Sequence, residues 1–131
     1  MVGPRMLPPP SEKPRVLIVE DSRTMRETLR ILLSADFECQ AAEDGASALV
    51  LALAQPPDLI LTDVEMRGVD GYELLRRVRA LPSLAHVRFV LLSGHAPQPG
   101  AGGAEDLYLV KPIRPAVLIE RIHALLRTPR P

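Results

Sequence analysis

The feature that most constrains this chain is a short apolar run ending in a carboxylate, Leu59-Ile60-Leu61-Thr62-Asp63. Pro56-Pro57 bounds it on one side, and a turn containing Gly68 and Gly71 follows on the other. A run this short and this apolar, flanked by turn residues, reads as a strand buried on both faces of a parallel sheet. In open parallel sheets, ligands bind just beyond the carboxyl ends of strands, where strand order reverses. An Asp in that place is held by a rigid element yet faces solvent, which suits a nucleophile or a metal ligand. A lone Asp would merely open a turn. Asp63 is not alone, because other strand ends bring matching chemistry.

Taken in order, residues 15–20 form a first β-branched run closing on Glu20-Asp21. A helix should follow, with Met25, Leu29, Leu32 and Leu33 on one apolar face. Asp21 or Ser22 suits its cap, and Thr24 with Glu27 has capping-box spacing. Residues 37–42 read as a weaker strand, then residues 46–55 as an Ala/Leu-rich helix broken by Pro56-Pro57. Residues 58–62 are the third strand. Residues 72–81 predict a helix with Leu74, Leu75 and Val78 inward and Arg76, Arg77 and Arg79 in solvent. Residues 87–92 are a strand ending at Ser93, and residues 107–110 a strand ending at Lys111-Pro112. The last helix starts near Pro115 and reaches Arg127, with Leu118, Ile122, Leu125 and Leu126 on one face. Strand and helix alternate, so the expectation is a doubly wound α/β fold: a parallel sheet with helices on both faces and right-handed crossovers.

The domain should span residues 15–127. Residues 1–14 carry five of the chain's 14 prolines and read as an extended tail, and residues 128–131 as a short C-terminal one. With 16 basic and 16 acidic residues, no net charge draws the chain to nucleic acid or to an anionic membrane. No apolar run reaches membrane-spanning length, and no signal-peptide pattern opens the chain. The single Cys39 excludes an internal disulfide and fits a reducing compartment, so a cytoplasmic location is expected. Its strand position reads as a buried, inert thiol. His86, His95 and His123 lack metal-ligand spacing, and His86 and His123 read as structural or exposed.

All the strand ends lie on one edge of a parallel sheet. Glu20, Asp21, Asp63, Ser93 and Lys111 therefore converge, although far apart in sequence. Three crowded carboxylates raise one another's pKa unless a cation intervenes, and a hard divalent ion with oxygen ligands, Mg²⁺ first, resolves the repulsion. The ammonium of Lys111 and the hydroxyl of Ser93 then suit the oxygens of an anion, as phosphoryl chemistry requires.

These residues, with the block from Asp63 to Gly71, Ser93-Gly94 and the segment from Tyr108 to Pro112, resemble the receiver domain of two-component response regulators. The resemblance covers residues 15–127 and implies a flavodoxin-like, five-stranded sheet of order 2-1-3-4-5. It implies Asp63 as phosphoacceptor, with Mg²⁺ held by Glu20, Asp21, Asp63 and the backbone carbonyl of Glu65. Ser93 and Lys111 would bind the phosphoryl group, and Ser93 and Tyr108 would act as switch residues. Lys111-Pro112 matches a cis peptide of the family. Glu65 and His95 are candidate modulators, and the Glu65 side chain is acidic enough to reach into the metal site or to repel the phosphoryl group. Arg67 stands where the family commonly has Pro. The implied partners are a sensor His kinase or phosphotransfer protein as donor, and a downstream protein, an output domain or a second copy as receiver of the signal. No turnover of an external substrate is expected, so the chain is not read as an enzyme. Two other classes compete: a phosphorylation-independent pseudo-receiver serving as an interaction module, and a Mg²⁺-dependent phosphohydrolase. The full acid–hydroxyl–lysine set argues against the first, and the lack of a cap insertion against the second.

One segment departs from the family. Residues 94–103 contain two prolines and four glycines and no apolar stripe. Pro costs about 3 kcal/mol and Gly about 1 kcal/mol per interior helix position. The fourth helix should therefore be short or replaced by a loop, and the apolar face of the last two strands should lose its cover.

Overall fold

A computed structural model describes residues 13–100 and 103–128. Most of the expected N-terminal tail, and residues 129–131, lie outside the described residues. Within them, the order is β1 (Arg15–Val19), α1 (Arg23–Leu33), β2 (Glu38–Ala42), α2 (Gly45–Ala54), β3 (Leu59–Asp63), α3 (Gly71–Arg79), a 3-10 turn (Pro82–Leu84), β4 (Arg88–Ser93), β5 (Leu107–Val110) and α4 (Pro115–Arg127). The five strands are all parallel, in the order β2-β1-β3-β4-β5.

Strand register sets where the chemistry emerges. Val19 pairs with Thr62, Asp63 with Leu92, and Ser93 with Val110. Glu20, Asp63, Ser93 and Lys111 thus leave the sheet within a residue or so of the same level. All five residues of β3 are buried, as a central strand covered on both faces requires.

Alternate strand residues feed two cores. Leu17, Val19, Ile60, Phe89 and Leu91 face α2 and α3, where Ala48 and Ala52, one turn apart, let α2 lie close to the sheet. Val16, Ile18, Leu61, Val90 and Leu92 face α1 and α4 and meet Leu33, Leu118 and Ile122. Each fully buried side chain of this size contributes about 1.5–3 kcal/mol.

Two expectations need correcting. In α1, Ser22 is the cap, accepting from the Met25 amide, so the Thr24–Glu27 spacing forms no capping box; Glu27 pairs with Arg30 instead. The apolar face of α1 is only partly covered, since Leu33 alone is fully buried. Arg79 does not lie in solvent. It turns inward, with Nη1 donating to Val87 O at 2.7 Å, Nε to Ala104 O at 3.1 Å and Nη2 to Asp106 Oδ2 at 3.0 Å.

That inward arginine bears on the missing helix. Among the described residues of 94–106 there is no helix, as the proline and glycine content demands. Phe89 and Leu91 on β4 nevertheless remain fully buried, because Leu84, Tyr72 and Tyr108 pack against that face. The exposure on that face falls at the end of β5, where Val110 is 46% exposed. The expectation of a bare face holds at the edge strand and fails one strand in.

Candidate functional site

The acidic pair follows directly from β1. Glu20 continues the strand, its amide donating to Ala42 O at 3.1 Å, and its side chain is turned inside the sheet edge at 4% exposure. Asp21 sits one residue nearer to solvent. Asp63 ends β3, and Gly71 lets the start of α3 close over it: a Cβ on Gly71 would lie 2.6 Å from Asp63 O. Carboxylate oxygens of Glu20, Asp21 and Asp63 come within 4.8 Å of one another, the one such group among the described residues.

The charges in this group are mismatched. Lys111 Nζ lies 3.0 Å from Asp63 Oδ1, an ion pair without hydrogen-bond alignment. Glu20 Oε2 is buried with no partner. Burial first, then the neighbouring Asp63 and Asp21, push the Glu20 carboxyl up to about 7, and Lys111 only partly offsets them. A buried, partnerless carboxylate oxygen facing two more carboxylates is the donor set that a hard divalent cation takes.

Of the two roles open to the Glu65 side chain, reaching into the metal site or repelling the phosphoryl group, the first is not the one it takes in this structure, where it stands outside this group. It turns toward β4 instead. Its Oε1 accepts from Ser93 Oγ at 2.8 Å and Gly94 N at 3.2 Å, and lies 3.1 Å from His95 Nδ1. Burial opposes ionisation of Glu65, but the bonds from Ser93, His95 and Gly94 outweigh it and hold the carboxyl below its ordinary value. Ser93 Oγ in turn accepts from the His95 amide at 3.0 Å, and Tyr108 OH donates to His95 O at 2.8 Å. Ser93, Glu65, His95 and Tyr108 are thus one network, bordering the acid group through Ser93. Sequence reasoning flagged these residues singly and missed their contact. No local signal shows it: residue 65 comes beside residue 94 only through the sheet register, in which Asp63 lies opposite Leu92.

Two further contacts were not foreseen. The Arg67 amide donates to Asp21 Oδ2 at 3.3 Å, so the residue replacing proline supplies a donor that proline lacks. Arg26 Nη1 donates to Glu20 O at 2.8 Å and ties α1 to the acidic turn. Lys111-Pro112 is cis. His123 is structural: its Nε2 lies 2.9 Å from Asp36 Oδ2 and its ring lies against Phe37. Cys39 is half-buried rather than buried as its strand position suggests, and that burial pushes its thiol pKa up.

Beside the acids, between α1 and α4, opens an apolar cleft of about 480 Å³ lined by Met25, Leu29, Leu32, Ile113 and Leu118. Glu20, Asp63 and Lys111 form its polar end. Among the described residues, no helix is long and apolar enough to cross a membrane.

Known proteins share this fold. The chain is 35% identical over 119 residues to the response regulator PleD of Caulobacter vibrioides, a match covering 86% of this chain and 26% of that protein. The chain spans about half or less of the length of the curated relatives it matches. The chemotaxis response regulator CheY4 of Vibrio cholerae superposes with a TM-score of 0.80 at 28% identity, covering 86% of this chain and 98% of that one. The receiver domain of sensor histidine kinase PA1611 from Pseudomonas aeruginosa, solved with a magnesium ion in its active-site cleft, gives a TM-score of 0.80 at 26% identity, over 88% of this chain and 99% of that one. The family model described as response regulator receiver domain matches residues 16–123, from the first strand into the last helix. With nearly the whole folded chain inside that match, this chain belongs to the response regulator receiver domain family.

Proposed function

We propose that Asp63 accepts a phosphoryl group from a histidine kinase or a phosphotransfer protein, and that the domain acts as a phosphorylation-controlled switch. One observation carries the reading: Asp63 ends the buried central strand with Lys111 at 3.0 Å and two further carboxylates within 4.8 Å. An Asp63 oxygen attacks phosphorus, and the new P–O bond forms as the donor's P–N bond breaks, its electron pair leaving with the imidazole. Lys111 offsets charge on the transferred group, and Ser93 offers it a hydroxyl. Tyr108 relays the change through the backbone of His95, to which it is bonded.

Glu20, Asp21, Asp63 and the Glu65 carbonyl would hold Mg²⁺, and the partnerless Glu20 Oε2 supports that fit. Bound there, the ion would neutralise carboxylate repulsion and draw the phosphoryl oxygens toward Asp63. The apolar cleft between α1 and α4 ends at Asp63 and suits the approach of an apolar donor helix. On this reading the domain promotes its own phosphorylation and turns over no external metabolite. A cytoplasmic location, where kinase donors and a reduced Cys39 belong, completes the proposal.

The test is intact mass after incubation with acetyl phosphate and Mg²⁺. One phosphoryl group should add to the wild-type chain, and labelling should fall at least about a hundredfold in Asp63→Asn, which lacks the nucleophile. Equal labelling of the variant would move the site elsewhere.

A further inference from the structure

We propose that the Glu65 carboxylate is an internal stand-in for the phosphoryl group: it holds Ser93, Gly94 and His95 in the unphosphorylated domain and must be displaced before Ser93 can serve the acceptor. This rests on the reading of Asp63 as phosphoacceptor and adds a residue that regulates the same site.

The argument begins with donors. A serine hydroxyl has one proton to give. In this structure Ser93 directs it to Glu65 Oε1 at 2.8 Å, while its lone pairs face the His95 amide at 3.0 Å. Gly94 N–H points to the same carboxylate oxygen at 3.2 Å, and His95 Nδ1 lies 3.1 Å from it. Ser93 is 1% exposed, so water does not supply an alternative partner cheaply. One anionic oxygen has thus gathered the groups that β4 presents beside Asp63. An anion built on Asp63 needs some of the same groups. Two anions cannot share one hydroxyl proton, and bringing them together adds like-charge repulsion.

Displacement has somewhere to go. Glu65 lies on the connection after β3 and is itself exposed, so its side chain can swing into solvent without uncovering the core. His95 then loses its carboxylate partner, while its carbonyl stays bonded to Tyr108 OH at 2.8 Å. The segment after Ser93 carries no helix among its described residues, so no helical packing resists the new path. The change of anion is therefore passed to residues 94–100 through His95.

Glu65 acts through Ser93 and is a positioning residue. Its test uses beryllofluoride with Mg²⁺ as the probe, alongside acetyl phosphate labelling and thermal unfolding. In Glu65→Ala, beryllofluoride should bind about tenfold tighter and labelling should quicken by a similar factor, the worth of one charge-assisted hydrogen bond no longer competed for. Thermal stability of the unliganded variant should fall at the same time, because the loop loses its anchor. That opposition of signs is the signature, since a merely structural strut would lose both together. Glu65→Gln, with an acceptor but no charge, should fall between. In a Ser93→Ala background most of the gain from Glu65→Ala should vanish. Unchanged or slower labelling of both Glu65 variants, with the wild type labelled on Asp63, removes the stand-in and leaves the phosphoacceptor. If wild type and variants alike take neither a phosphoryl group nor beryllofluoride, both readings fall.

Discussion

Two clusters of charge sit at opposite ends of the sheet, and they differ in how the charges are matched. At the amino end of β4, Asp106 Oδ2 takes Arg79 Nη2 at 3.0 Å and the Phe89 amide at 2.8 Å, while Oδ1 faces Arg88 at 3.5 Å. Arg79 spends its other nitrogens on Val87 O and Ala104 O. At the carboxyl end, Glu20, Asp21 and Asp63 share Lys111 and the outlying Arg67, and Glu20 Oε2 has no partner. Buried charge that is fully bonded fixes a fold, and breaking it is costly. Buried charge left in excess shifts pKa values and awaits a ligand. The first cluster is a clamp closing the β4–β5 connection, where the helix is missing. The second is a site.

The largest effect should come from breaking the clamp. Asp106→Ala removes the carboxylate that Arg79 and Arg88 share and should cost about 3–5 kcal/mol of stability by urea unfolding. A loss below about 1 kcal/mol would put Asp106 among ordinary surface pairs and erase the contrast.

The site should answer to metal where the clamp does not. Mg²⁺ at a hundredfold excess over its Kd should stabilise the chain by about 2.7 kcal/mol. Asp21→Asn should weaken that response more than Glu20→Gln, and Asp106 variants should leave it intact. If both acid variants keep the wild-type response, the acidic pair is not the metal site.

Proton linkage should follow in metal-free protein. The folded Glu20 carboxyl titrates near 7, against 4.5 for an ordinary Glu, so between these values the folded chain binds more protons than the unfolded one. The stability this contributes is complete below about pH 4.5 and lost as pH rises through 7, on the order of 3 kcal/mol in all. Glu20→Gln should flatten that slope, and an unaltered slope would assign it elsewhere. The smallest effect concerns a part-exposed pair outside both clusters: Asp36→Asn should weaken the His123 contact by less than about 1 kcal/mol in chemical denaturation. A larger loss would make that pair a third structural centre.

Legibility in the sequence varied with how local the cause was. The run ending at Asp63, the acidic pair after β1 and the proline- and glycine-rich break after Ser93 were each readable from neighbouring residues. Arg79 was misread as solvent-facing because its helix position says only that it lies outside the apolar stripe. Its partners, Val87, Ala104 and Asp106, come from a different part of the chain. Glu65 was noticed for its charge, but nothing local shows that Ser93, Gly94 and His95 will surround it.

The sequence by itself determined the alternation of strands and helices, the acids and lysine at the strand ends, and the absence of helix in the described part of residues 94–106. Those follow from side-chain period, turn residues and propensity, all set within a few positions. Tertiary structure alone decided which carboxylate oxygen is left without a partner, where Arg79 points and which anion holds Ser93. Such questions turn on distances of a few ångströms between segments brought together by parallel register, and electrostatic and hydrogen-bond energies change sharply over that range.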